Sequence, residues 1–186
     1  MVEVQVENII VSFSVSSELD LQKLVEVLPD AQYNPDDAPV IILQFSHPHS
    51  MATLSSTGQV VVTGPKNMDE VHDVVKMVID RLHVTGIELQ ETPELTMQNV
   101  TVSSQLNQKI KLRSLAKSLQ LEGFAPREFP GLVYKGDDPN TVILLFDSGK
   151  IVCNGFRLED VTVALENMVK KLVSFGINKE ENVCPK

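Results

Sequence analysis

The sequence lacks most of what secretion, membrane insertion or catalysis requires. Only two of its 186 residues are cysteines, Cys153 and Cys184. Two thiols cannot make a disulfide framework, so a reducing, cytoplasmic setting is the simple expectation. There is no run of 18 apolar residues, which excludes a membrane-spanning helix. The opening MVEVQVENII has neither the basic region nor the small-residue cleavage pattern of a signal peptide. No CxxC, GxGxxG, GxxxxGK(S/T) or Ser-His-Asp order is present. His47 and His49 alternate around Pro48 with no cysteine or third histidine nearby in sequence, so no metal site is expected. Asp36-Asp37 and Asp137-Asp138 lie among turn-forming residues and read as turn formers, not catalytic pairs. Neither an enzyme nor a cofactor is expected.

Basic side chains are also scarce. The formal net charge is −9, from 16 Lys and Arg against 25 Asp and Glu, which taken alone argues against nucleic acid. The acidity belongs to one half, however. Residues 1–93 hold 14 acidic and 4 basic side chains, whereas residues 94–186 hold 11 and 12. Asymmetry of this kind suggests halves with different surface roles.

What the sequence does contain is a repeat. An offset of 91 residues aligns Asn8 with Asn99, Ser12 with Ser103, and Leu21, Leu24 and Leu28 with Leu112, Leu115 and Leu119. The same offset aligns Pro35 with Pro126, Gly58 with Gly149, Val61 with Val152 and Gly64 with Gly155. Such matches fix backbone shape, and the long period marks a duplicated module, not a solenoid unit. Two domains follow: 1–93, and 94–186 with a short polar tail from about 178.

Each half reads strand, helix, several strands, helix. VENIIVSFSV alternates and is β-branched, so it predicts a strand. SELDLQKLVEVL puts Leu21, Leu24, Val25 and Leu28 on one helical face, with Ser17 as the N-cap and Asp20 in support. YNPDDAP reads as a loop, and VIILQF, SMATLS and QVVVTG as short strands. Asn67 caps a long helix with Val71, Val74, Val75, Val78, Ile79 and Leu82 inward, ended by Gly86. The final helix turns Val161, Leu165, Met168, Val169 and Leu172 inward. Strands bounded by helices predict an α+β fold with an antiparallel sheet.

Helices on one face should leave the other face polar. It is not. With Ile9, Val11 and Phe13 facing the helices, the opposite set is Asn8, Ile10, Ser12, Val61 and Thr63 in the first half. In the second half it includes Phe129, Val133, Val142, Leu144, Phe146 and Val152. An apolar face of this size predicts a binding surface or a face covered by a partner, and self-association when free.

The strands MQNVTVSS (97–104), EFPGLVYK (128–135) and VILLFDSGKIVCNG (142–155) resemble the TATA-box-binding protein family, archaeal type. VENIIVS, YNP and VVVTG are weaker versions in the first half, and the resemblance covers about residues 4–177. It implies a pseudo-twofold saddle whose curved antiparallel sheet meets the minor groove of AT-rich promoter DNA, helices on the convex face, and bends that DNA. It also implies a cytoplasmic, nucleoid-associated transcription initiation factor without catalytic activity. Asn8 and Asn99 take the family's paired central positions, with Thr63 and Asn154 beside them. Ile10, Thr101, Val61, Val152, Leu144 and Val133 supply groove packing. Phe129 and Phe146 match one pair of base-step wedges, and Lys135 and Lys150 match basic positions flanking the saddle.

The first half departs from this pattern. Ala38 and Ser55 stand at its wedge positions, Gln44 and Gln59 at the basic ones, and Asp37 replaces a basic residue. Two missing ionic contacts lower the expected salt slope by roughly 1.8 units at about 0.9 per phosphate. The resemblance therefore implies asymmetric bending through the second repeat. Its partners would be transcription factor B and the RNA polymerase machinery. The family uses acidic residues before the phenylalanine for factor B, whereas here Ala125 and Arg127 occupy those places and only Glu128 is adjacent. The alternative is a divergent paralogue that uses the same surface for protein interaction with weak or no bending. Lys109, Lys111, Arg113 and Lys117 read as a solvated helix face.

Overall fold

A computed structural model describes residues 3–15, 18–36, 38–87, 92–121, 125, 127–136 and 138–177. The chain forms two compact units, Asn8–Asn99 and Met1–Glu7 with Val100–Lys186.

In the first unit, β1 (Gln5–Ser14, from Asn8 onward) leads through α1 (Leu21–Val27) to β2 (Gln32–Asn34), β3 (Ala38–Phe45), β4 (Ser50–Ser55) and β5 (Gln59–Thr63). Helix α2 (Met68–Val84) follows. The strands run in the order β2-β3-β4-β5-β1, and the β2–β3, β3–β4, β4–β5 and β5–β1 pairs are antiparallel. In the second unit, β6 (Thr96–Gln105) is followed by α3 (Leu112–Ser118), β7 (Gly131–Tyr134), β8 (Val142–Phe146), β9 (Lys150–Gly155) and α4 (Leu158–Ser174). Its antiparallel order is β6-β9-β8-β7.

The helical stripes are buried as their spacing predicts. Val71, Val74, Val75, Val78, Ile79 and Leu82 of α2, and Val161, Leu165, Met168, Val169 and Leu172 of α4, pack beneath the sheets. Buried with them are Ile9, Val11, Ile41, Leu43, Val60 and Val62 in one unit and Val100, Val102, Ile143, Leu145 and Ile151 in the other. Burying a side chain of this kind stabilises by about 1.5–3 kcal/mol, so these stripes orient each sheet and leave its other face outward.

Asn67 caps α2 in an arrangement like a capping box but shifted by one residue. Its Oδ1 accepts from the Glu70 N–H at 2.8 Å, while Glu70 Oε2 accepts from the Lys66 N–H at 2.8 Å. The start of α1 differs from expectation. Ser17 lies outside the described residues, and the cap is Asp20, whose side chain accepts from the Lys23 N–H. That hydrogen bond favours the carboxylate and lowers its pKa. The segment expected to be wholly loop supplies a short edge strand, β2, with Tyr33 opposite Ile41 and a register shift before Asn34. Turn residues were legible locally; their pairing to a strand further along the chain was not.

Candidate nucleic-acid interface

Strand alternation places the outward set as expected in the second unit. Val142, Leu144 and Phe146 are half-buried between fully buried Ile143 and Leu145, and Val152 and Asn154 flank buried Cys153. Val133 is 45% exposed. The register aligns Val133 with Leu144 and Leu144 with Val152, giving one apolar row across three strands that ends at buried Ser103.

At the far edge Phe129 is 37% exposed, and its ring meets that of Phe146 edge-to-face, centroids 6.1 Å apart at 62°. Gly131 forms the floor of this pair, opposite Phe146 in the register. A Cβ there would lie 2.6 Å from Phe129 Cε1 and 3.2 Å from Phe146 Cε1. Sequence reasoning missed Gly131. The signal was its mismatch with Val40 at the repeat offset.

The polar residues on these faces are held as donors. Asn8 Oδ1 accepts from the Gly64 N–H at 2.7 Å and from Thr63 Oγ1 at 3.3 Å, while Asn8 Nδ2 donates to Thr63 Oγ1 at 3.0 Å. In the second unit Asn154 Oδ1 accepts from Thr101 Oγ1 at 2.6 Å. Both carbonyl oxygens are anchored, which leaves the NH₂ of Asn154 and the second N–H of Asn8 as donors. Asn99 is half-buried.

In the first unit Ile10, Val61 and Thr63 are half-buried on the outward face, and Thr53 pairs with Val61 as Leu144 pairs with Val152. Ser12 shares that parity but is only 4% exposed, because Gln98 Nε2 donates to its Oγ at 2.8 Å and covers it. The expectation of an open Ser12 fails for this reason. Ala38 and Ser55 are half-buried, and Ser55 Oγ bonds Thr57 Oγ1 at 2.7 Å.

Charge is distributed less simply than the sequence suggests. Lys135 is exposed. Lys150 Nζ instead sits 3.2 Å from Glu7 Oε1, which also accepts from Ser103 Oγ at 2.6 Å. Glu7 is the second residue that sequence reasoning missed. It aligns with Gln98 at the repeat offset, and each binds a buried serine, Ser103 or Ser12, through its long side chain. Both members of the ion pair are partly exposed, and such pairs contribute roughly 1 kcal/mol or less.

We expect Glu7→Gln to release Lys150, raise low-salt affinity for AT-rich DNA and steepen the salt slope by about 0.9. Titrations at several salt concentrations measure this, and an unchanged slope would mean that Lys150 reaches no phosphate.

Other candidate chemistry is quiet. Burial pushes the Cys153 thiol up to about 12, so it stays protonated and unreactive. Among the described residues no three His, Cys, Asp or Glu side chains gather at a metal-binding distance. No described helix is long and apolar enough to cross a membrane. Lys109, Lys111, Arg113 and Lys117 are exposed at and before α3, as are Ala125, Arg127 and Glu128 before Phe129. Asp37, Pro126, Asp137 and Cys184 lie outside the described residues.

A duplicated antiparallel sheet, helix-backed on one side and carrying apolar rows with anchored amide donors on the other, defines a two-repeat α+β binding protein. A family model described as Transcription factor TFIID (or TATA-binding protein, TBP) matches residues 3–84 and 94–175. The chain is 38% identical over 177 residues to TATA-box-binding protein 2 of Haloferax volcanii, covering 94% of this chain and 95% of that protein. It is 36% identical over 181 residues to the TATA-box-binding protein of Thermococcus sibiricus, covering 97% and 98%. Its fold is similar to that of Methanococcus jannaschii TBP, with a TM-score of 0.80 and 32% identity, over 92% of this chain and 99% of that one. The chain belongs to the TATA-binding protein family. That family consists of transcription factors, not enzymes.

Proposed function

We propose that this protein is a promoter-recognition transcription initiation factor that reads AT-rich DNA through the minor groove and kinks it asymmetrically, chiefly through its second repeat. The observation that carries this reading is the anchoring of Asn8 and Asn154 as donors within an apolar outward face. In the minor groove A·T pairs show only acceptors, and guanine adds an amino group that would collide with such a surface. Asn8, Asn99 and Asn154 meet those acceptors, while Thr63 and Thr101 hold the amides of Asn8 and Asn154 in place. Ile10, Val61, Val133, Leu144 and Val152 pack along the groove floor. Phe129 and Phe146 enter an opened base step, as minor-groove wedges do, and Lys135 and Lys150 approach phosphates.

The expected partners are transcription factor B and RNA polymerase. Ala125 and Arg127 replace acids on the factor B surface, so a factor B with a complementary change would fit best. A nucleoid-associated place in the cytoplasm follows from this role. Without DNA, the apolar face favours self-association of the chain.

Gel-shift titration with three duplexes tests the reading. Inosine·cytosine pairs keep the A·T minor-groove face and change the major groove, so binding should survive A·T→I·C replacement and fall on G·C. Loss of binding on I·C would reject minor-groove reading.

A second reading is favoured by the Glu7–Lys150 pair and by Ala38 and Ser55 at the wedge positions. In it, the chain is a divergent paralogue that engages transcription factors with little bending. Factor B capture without any duplex binding at about 50 mM salt would select it.

A further inference from the structure

Building on the minor-groove reading above, we propose that Val40 closes the first repeat against kinking, so that one flexible base step is sufficient for full affinity and its position sets the direction of binding. The two repeats differ at three linked positions, not two. In the second unit Phe129 and Phe146 seat over a residue with no side chain, and a Cβ at position 131 would approach the Phe129 ring to 2.6 Å and displace it from this position. In the first unit Val40 holds the equivalent place, opposite Ser55 as Gly131 is opposite Phe146. Its branched side chain occupies the floor on which a ring at position 38 would lie. Ser55 is tied into the following turn, with Oγ 2.7 Å from Thr57 Oγ1 and 3.3 Å from the Gln59 carbonyl oxygen.

Ala38, Val40 and Ser55 thus form a consistent, low surface, unlike a wedge site that has merely lost its rings. Such a surface rests against stacked bases without opening them. Pyrimidine–purine steps kink readily and A-tracts are stiff, so a one-wedge protein needs only one such step within its site.

Three AT-rich duplexes test this, with flexible steps at both ends of the site, at one end, or replaced throughout by A-tract. For the wild-type chain the first two should bind within about twofold of each other, and the third about tenfold more weakly. Equal losses at each removal would overturn the proposal, because two wedges would then be acting.

The role of Val40 is read separately. Ala38→Phe/Ser55→Phe should keep the wild-type ranking, whereas adding Val40→Gly should make the two-step duplex bind several-fold tighter than the one-step duplex. Circular dichroism confirms that each variant is folded. A gain already present in the double variant, or none in the triple, would overturn the assignment to Val40. Failure of the wild-type chain to bind any duplex would reject the groove reading itself, and this inference with it.

Discussion

Replacing Phe129 or Phe146 by alanine is expected to weaken binding to AT-rich DNA by roughly tenfold to a hundredfold, because a ring stacked on a base contributes about 1–3 kcal/mol. The bend angle, measured by end-to-end energy transfer on a labelled duplex, should fall in parallel. Each ring supports the other edge-to-face at 6.1 Å, so the double variant should lose less than the sum of the two single losses. Folding should be little affected, since Phe129 is well exposed and Phe146 lies on the outward face. Wild-type affinity and bending in the double variant would refute the wedge assignment. By contrast Ser55→Ala should change bending little, since no ring is present at that end.

Gly64→Ala should produce the largest loss of stability among single outward-strand changes. Gly64 has φ +112°, which L-residues rarely adopt, and an added Cβ would lie 2.5 Å from the His49 carbonyl oxygen and 2.6 Å from Ser50 Cα. Those neighbours are backbone and cannot rotate away. Strain plus displacement should cost about 3 kcal/mol or more, lowering Tm by roughly 6–12 °C for a chain of this size. Gly86→Ala is the control. It also has positive φ, +81°, but nothing lies within 4 Å of its Cβ position, so its cost should be only about 1–2 kcal/mol. Thermal unfolding of both variants separates backbone strain from crowding, and equal Tm losses would reject the crowding at Gly64. Because the Gly64 N–H anchors Asn8, the folded fraction of Gly64→Ala should also bind DNA more weakly.

The aligned glycine of the second repeat faces the equivalent backbone carbonyl and, closer still, a helix side chain. A Cβ at Gly155 would meet Val161 Cγ1 of α4 at 2.6 Å and the Asn140 carbonyl oxygen at 3.1 Å. Asn140 and Thr141 stand 91 residues after His49 and Ser50, so the same pair of positions crowds both glycines, and Val161 of α4 is nearer still in the second repeat. The offset of 91 residues therefore locates the shared backbone constraint but not the contact from the helix.

The same division runs through the whole protein. The sequence by itself determined the repeat, the α+β class, the buried stripes of α2 and α4 and the parity that turns Val142, Leu144, Phe146 and Val152 outward. The repeat shows as matches at one fixed offset, and the stripes and the parity follow from local periods, 3.6 residues for a helix and 2 for a strand, which need no distant partner. Only the tertiary structure decided that Glu7 holds Lys150, that Gln98 covers Ser12, that Gln32–Asn34 pairs as an edge strand, and that Gly131 forms the floor of the aromatic pair. Those outcomes depend on which side chains the fold brings within a few ångströms across tens of residues of chain. Spacing along the sequence carries no record of that distance.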